Sequence, residues 1–169
     1  MRYFLFAGVA YLLFYVLFRR KWWMKKIQAG FPASKQIRRE IAYSMLSILI
    51  FMGVFLGITL LRRAGYTQIY LQFSEHSVWY FLGSVVVLIL WHDTYFYWTH
   101  RLLHLKAFAR FHRLHHQSHN TNPWTAFAFH PVEAVIQAGF VPPILFMMPF
   151  HPLAIGTVIT WQMAFNVMG

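Results

Sequence analysis

Apolar residues in this chain fall in long blocks, not in the short alternations that mark half-buried strands. Tyr3 to Phe18 is one block, Ile41 to Leu61 a second and Val78 to Trp98 a third. Pro131 to Phe150 is a fourth, interrupted by Pro142, Pro143 and Pro149, and Pro152 to Met168 begins a fifth. A bilayer core takes about 20 apolar helical residues, so the second and third blocks have spanning length and the first is a little short of it. Proline supplies no N–H to a helix ladder, which predicts a kinked or re-entrant helix pair for the fourth block. The pattern as a whole predicts an all-α integral membrane protein of about four to five transmembrane or re-entrant helices. Residues 1–77 read as N-terminal membrane helices with a basic connector, and 78–169 as the region that carries the chemistry.

The polar segments orient these helices. Residues 19–40 form a connector holding Arg19, Arg20, Lys21, Lys25, Lys26, Lys35, Arg38 and Arg39, with a turn at Gly30-Phe31-Pro32 and Ser34 as the predicted cap of the next helix. A cleaved signal peptide carries its charge ahead of the apolar run and a small-residue site behind it. Here the charge follows the run, so the first block reads as a retained helix with a cytoplasmic C-terminal end. The connector from Ala64 to Ser77 has no Lys or Arg. Twelve basic residues, the eight above with Arg101, Lys106, Arg110 and Arg113, fall on one side; three, Arg2, Arg62 and Arg63, fall on the other. The positive-inside rule makes the first side cytoplasmic, whether the membrane is bacterial inner membrane or endoplasmic reticulum.

Composition agrees. The chain is 59% hydrophobic and 11% charged, against about 25% charged in a soluble domain. Its net charge of +11 comes from residues set between apolar runs, so it reports membrane topology and no nucleic-acid partner is expected. There is no cysteine, which excludes disulfides, thiolate ligands and Cys-based zinc or iron–sulfur motifs.

Histidine is what remains, and it is concentrated. Eight of the ten lie between His92 and Glu133: His92, His100, His104, His112, His115, His116, His119 and His130. His100 and His104 are i, i+4, one helical turn apart on one face, and Asp93 and Tyr97 continue that stripe. His112, His115 and His116 are i, i+3, i+4, again on one face. Neutral imidazole is the commonest transition-metal ligand, and several must converge on each ion. A basic membrane surface would use Lys and Arg, so these five are the candidate metal ligands. His92, adjacent to Asp93 near the end of a span, is a candidate ligand or outer-shell partner. Asp93 is a candidate carboxylate for a ligand's second N–H. His130 is a further candidate ligand, with Glu133 on the next turn. His119 has the right phase, but Asn120 to Pro123 signals the end of the helix, which argues against it. Tyr95 to Trp98 reads as an interfacial aromatic belt, with Tyr97 a candidate substrate-facing residue. His76 and His151 read as hydrogen-bonded core residues.

The strings DTYFYWTHRLLH, HRLHH and NPWTAFAFHPVEA resemble the fatty acid hydroxylase / sterol desaturase superfamily of integral membrane enzymes, over about residues 78–145. That family's HxxxH box corresponds to His100 and His104, and its HxxHH box to His112, His115 and His116. The resemblance implies a non-haem centre of two Fe that uses O2 to hydroxylate or desaturate a membrane lipid. It also implies electrons from NAD(P)H through a carrier such as cytochrome b5 or a ferredoxin. The family's third box, another HxxHH, has no counterpart, because only His151 follows His130. Together with the stop at Gly169, this leads us to expect an N-terminal fragment of a longer enzyme, with fewer ligands than two fully coordinated irons take.

Three rival functions are open to the same residues. Another reaction on this frame, such as ether-lipid cleavage or carotenoid hydroxylation, keeps the metal and changes the substrate. A membrane metal-binding or metal-transport protein without oxygenase activity would place its ligands near the bilayer midplane, whereas these boxes lie beyond the end of a span. A bis-His haem protein would take one histidine from each of two facing helices.

Overall fold

The computed structural model describes residues 2–22 and 30–168, the side chain of Trp22 excepted. Lys25 and Lys26 of the basic connector lie outside the described residues, as does Gly169. The described chain is helical: α1 (Arg2–Tyr11), continued by a π turn over Leu12–Leu17, α2 (Arg19–Trp22), α3 (Ser34–Arg63), α4 (Val78–Leu103), α5 (Ala109–His116), α6 (Pro131–Ala138), α7 (Val141–Met147) and α8 (Pro152–Met168). A single parallel bridge joins Ile69 to Phe150, and among the described residues no strand forms.

The fourth apolar block is the broken pair it was expected to be, α6 and α7. Two details depart from the sequence reading. Ser34, the predicted cap, is the first helical residue of α3. Ala33 takes the cap position, because its carbonyl accepts the first helical bond from Ile37 N–H at 3.1 Å. The third block runs on past Trp98 to Leu103, so a single helix carries both the apolar run and the first histidine box. Its start is capped by Ser77, whose Oγ accepts from Tyr80 N–H at 3.1 Å.

Two helices, α3 with 30 residues and α4 with 26, are long and apolar enough to cross a membrane. Only 17% of the most apolar window of α3 and 11% of that of α4 is buried, so both helices present mostly apolar outer faces. In α3 the usual pattern is inverted. Glu40, Ser44 and Ser47 are buried, while Met45, Leu49, Met52 and Leu56 point outward.

Two apolar clusters hold the helices together. One joins Ile58 of α3, Leu88 of α4, Ile144 and Leu145 of α7 and Ile155 and Val158 of α8 around Phe150. The other packs Tyr3, Ala7 and Ala10 of α1 on Met163 and Val167 of α8, with Trp124 and Phe127 against it. Carbonyls at the α6–α7 break are taken by α4: Trp91 Nε1 donates to Phe140 O at 2.6 Å and Tyr95 Oη to Ile136 O at 2.9 Å.

Gly139 permits that contact. A Cβ there would stand 2.6 Å from Tyr95 Oη and 3.0 Å from Ile136 O. Gly139→Ala must displace the tyrosine from its carbonyl and is expected to cost about 1–3 kcal/mol, the range for overpacking a filled site. Thermal unfolding in detergent measures it, and an unchanged Tm would mean that Tyr95 does not sit there.

Candidate metal centre

The end of α4 and the whole of α5 meet at an angle that brings two histidine boxes face to face. His100 is in the last turn of α4, and His104 is the capping residue after it, its N–H donating to His100 O at 3.2 Å. Five residues later α5 begins, and it ends at His116 with Gln117 as its cap. One ligand atom each from His100, His104 and His112 lie within 4.8 Å of one another. The rings of His100 and His112 are 4.6 Å apart, and those of His104 and His112 are 4.9 Å apart. His104 Nε2 and His100 Nε2 approach to 3.1 Å, the separation of two lone pairs unless a proton or a cation lies between them.

The rest of the second box divides. His116 stays with the cluster, its ring 4.6 Å from His112 and 5.2 Å from His104. His115 lies to one side, 5.6 Å from His112 and 5.6 Å from Phe129.

Glu133, in the first turn of α6, completes the group. Its Oε1 is 2.7 Å from His112 Nδ1, and both side chains are buried, at 1% and 3% exposure. With Nδ1 so engaged, His112 Nε2 points toward the other imidazoles with no partner. His115 Nδ1 is likewise buried and unpartnered. Burial and the neighbouring imidazoles hold the His112 imidazole down at about 3. Burial and the adjoining His116 also hold His115 below its ordinary value. The Glu133 carboxyl, outside the two helices of spanning length, is pushed up to about 8 by burial. Neutral imidazoles with orphaned, converging nitrogens, one oriented by a buried carboxyl, form a donor set that fits a transition-metal ion.

The other candidates are placed elsewhere. His92 Nδ1 pairs with Asp93 Oδ1 at 3.1 Å, and Asp93 is exposed at 65%, so it does not reach a box histidine. The carboxylate on a box histidine is that of Glu133. His92 does adjoin the cluster through Phe96, whose ring lies between it and His100. His130 caps α6, its Nδ1 accepting from Val132 N–H at 3.2 Å. Tyr97 is exposed, its hydroxyl accepting from Arg101 at 3.1 Å. His119 falls beyond the end of α5. His151 is buried and bonded, accepting at Nδ1 from Leu153 N–H and meeting Leu71 O through Nε2. His76 stacks on Tyr80.

The sequence reading passed over Glu40. Its signal was available: the one acid among basic residues at the start of an apolar block, on one stripe with Gln36, Ser44 and Ser47.

Comparison with known proteins gives one family. The family model for fatty acid hydroxylase matches residues 85–169. The chain is 31% identical over 104 residues to a Delta(7)-sterol 5(6)-desaturase of Gibberella zeae, covering 61% of this chain and 32% of that protein. It is 29% identical over 105 residues to a Delta(7)-sterol 5(6)-desaturase of Schizosaccharomyces pombe, covering 62% and 35%. It is 26% identical over 119 residues to lathosterol oxidase of Homo sapiens, covering 69% and 40%. The chain thus matches between about a third and two fifths of the length of these relatives. No solved structure matches.

The His112–Glu133 pair makes stability depend on pH in two directions. Folded, the pair holds one titrating proton, on the carboxyl, from about 3 to about 8. Between the ordinary values of 4.5 and 6.5 the unfolded chain also holds one, on the imidazole, so the pair's contribution is flat. Below 4.5 the unfolded chain binds a second proton and stability falls; above 6.5 it binds none, and stability falls as pH rises toward 8. Thermal unfolding of the metal-free protein in detergent is expected to show this plateau. Glu133→Gln should abolish the alkaline fall and move the acid limb up toward 6.5, the ordinary value of the imidazole. A wild-type Tm that keeps climbing to pH 8 would contradict the pairing.

Proposed function

We propose a function from one premise: the chain belongs to the fatty acid hydroxylase family. It is an O2-dependent, non-haem iron oxidoreductase that hydroxylates or desaturates a C–H position of a membrane lipid, a sterol-type lipid in keeping with the relatives it resembles. The observation that carries this reading is the convergence of His100, His104 and His112 inside the matched segment, with the His112 Nε2 orphaned and aimed at the others.

His100, His104 and His112 would hold one iron, with His116 beside them. His115, turned to one side, is the ligand available to a second iron of a two-Fe centre. Iron bound there supplies the activation of O2 for attack on an unactivated C–H bond, chemistry outside the range of ordinary side chains. The remaining work falls to the protein. Glu133 fixes the His112 ring through Nδ1, which would leave Nε2 for a metal. With a metal held at Nε2, the proton of the pair would move to Nδ1 and the one on Nε2 would be released. His92 lies against Phe96, the ring next to His100, and His130 fixes the start of the helix that carries Glu133.

The exposed face of α4 leads from Leu82, Val86 and Leu90 past Tyr97 to the first box, an apolar approach suited to a lipid arriving from the bilayer. On the positive-inside count the boxes lie at the cytoplasmic face of a multi-pass membrane protein, in reach of NAD(P)H-linked electrons through a carrier such as cytochrome b5 or a ferredoxin. Residues 1–77 act as membrane scaffold and 78–169 as the histidine-box region.

Elemental analysis of the purified, detergent-solubilised chain tests this. Iron bound stoichiometrically, with O2 uptake on reduction in the presence of a sterol, is the expected result. His112→Ala should remove most of the iron. Glu133→Gln should weaken iron binding by about 10- to 100-fold, the usual loss when a ligand's hydrogen-bond partner is removed. Stoichiometric zinc with no O2 uptake under reduction would overturn the oxygenase reading.

A further inference from the structure

Glu40 lies in α3 where its basic first turns meet the apolar run from Ile41, and is 1% exposed. A carboxylate buried there is costly unless it has partners and a task. Its partners are complete: Oε1 accepts from Gln36 Nε2 at 2.8 Å and Oε2 from Asn122 Nδ2 at 2.7 Å. Gln36 Nε2 also donates to Asn120 O at 2.9 Å. Arg39, the residue before Glu40, grips the residue after the second box, with Nη1 donating to Gln117 Oε1 at 3.2 Å and Nη2 to Gln117 O at 3.1 Å. One turn above, Ser44 Oγ donates to Trp124 O at 3.1 Å, and Tyr3 Oη reaches the same carbonyl at 2.9 Å.

All of these bonds but that between Gln36 and Glu40 end in one stretch, residues 117–124, and that stretch begins where α5 ends. Asn122 is its centre. While Nδ2 is held by Glu40, Oδ1 accepts from Trp124 N–H at 3.0 Å and its own N–H donates to Thr125 Oγ1 at 3.1 Å, so it caps the 3₁₀ turn Pro123–Phe127. The turn leads through Phe129, packed on His115, to His130 and Glu133. The loop therefore leaves the second box at one end and delivers that box's carboxyl partner at the other. Its path decides whether Glu133 Oε1 and His112 Nδ1 meet.

We propose that Glu40 is a positioning residue for the candidate metal centre: by holding Asn122 it sets the path of the 117–129 loop and so the registration of Glu133 against His112. The inference rests on the metal-centre reading above, but its geometry can be read without a metal.

The test compares Glu40→Ala and Glu40→Gln with Val158→Ala, a control in the distant apolar cluster around Phe150. Two readouts apply to the whole chain in detergent. The first is nitrogen-15 histidine NMR of the metal-free protein, following the His112 ring nitrogens and the proton shared with Glu133. The second is Co²⁺ affinity, with the absorption spectrum of the bound ion. Glu40→Ala is expected to lose the shared-proton signal and to bind Co²⁺ about tenfold more weakly, at the low end of losses from outer-shell changes. Glu40→Gln should fall between, since its oxygen still accepts from Asn122 while its amide nitrogen opposes the Gln36 donor. Val158→Ala should lower Tm and change neither readout. If the Glu40 variants lower Tm but leave the His112 signal and Co²⁺ affinity at wild-type values, Glu40 is a fold anchor only and the proposal fails. Should Glu40→Ala not fold, Glu40→Gln decides on the same two readouts. A wild type that binds no Co²⁺, with a His112 signal that still depends on Glu40, keeps the positioning role and removes the metal-centre reading.

Discussion

The hydrogen bond between His112 Nδ1 and Glu133 Oε1 joins two short helices, α5 and α6. α5 and α6 have eight residues each, too short to persist on their own helical propensity. Packed on α3 and α4, they bring the second histidine box and the Glu133 carboxyl together between them, buried, at 2.7 Å. A buried acid beside a buried base costs least when the pair is neutral and shares a proton, and burial drives both groups in that direction. That neutrality leaves His112 Nε2 without a partner. An orphaned buried nitrogen is unfavourable in an isolated fold and is what a ligand-binding fold requires.

The same economy governs the loop between the two helices. Residues 117–129 run beside apolar helices, where an unmatched backbone group is costly. The loop matches its groups locally, with Asn122 and Thr125 capping the 3₁₀ turn, and matches the rest to a polar stripe on α3. The aromatic rings then fill the remaining space: Phe127 stacks on Tyr3 at 4.6 Å and meets Phe51 edge-on at 5.5 Å. Polar matching sets the path of the chain, and ring packing keeps water from it.

Much of this was legible in the sequence. The long apolar blocks gave α3 and α4 because length and hydropathy are additive along a chain, and the prolines gave the α6–α7 break because a missing N–H has a local effect. The i, i+4 spacing put His100 and His104 together because helical phase is also local. What the sequence could not supply was pairing across distance. Asp93 was the candidate for a carboxyl on a ligand's second N–H, and Glu133 stood only as the acid one turn beyond His130. Asp93 faces outward and pairs with the neighbouring His92, and the carboxyl on a box histidine is that of Glu133, a matter of helix rotation and not of composition. His130 was read as a candidate ligand on position alone, and the structure engages its Nδ1 as a helix cap. The division of the second box into His112 and His116 on one side and His115 on the other depends on the crossing of α4 and α5, which no spacing encodes.

Rotation is the quantity that a membrane-like setting leaves open. Between apolar helices in an apolar medium, burial gives little preference for one face over another, so packing of small residues and interhelical hydrogen bonds must choose. α4 shows how. Tyr80, Trp91 and Tyr95 donate to carbonyls of Pro149, Phe140 and Ile136, and they share a face with the buried Ser84 and Leu88. Continued toward the C-terminus, that face reaches Thr99 and the fully buried Leu103. His100 and His104 are each one residue past it, about 100° round the helix, on the side where α5 stands. α3 is rotated by the same means, with Gln36, Glu40 and Ser44 turned to the loop and its methionines and leucines turned outward. The hydrogen bonds of two long helices, made well away from the imidazoles, thus fix the azimuth at which those imidazoles are presented. A ligand set drawn from different helices can converge only when every helix holds its own phase.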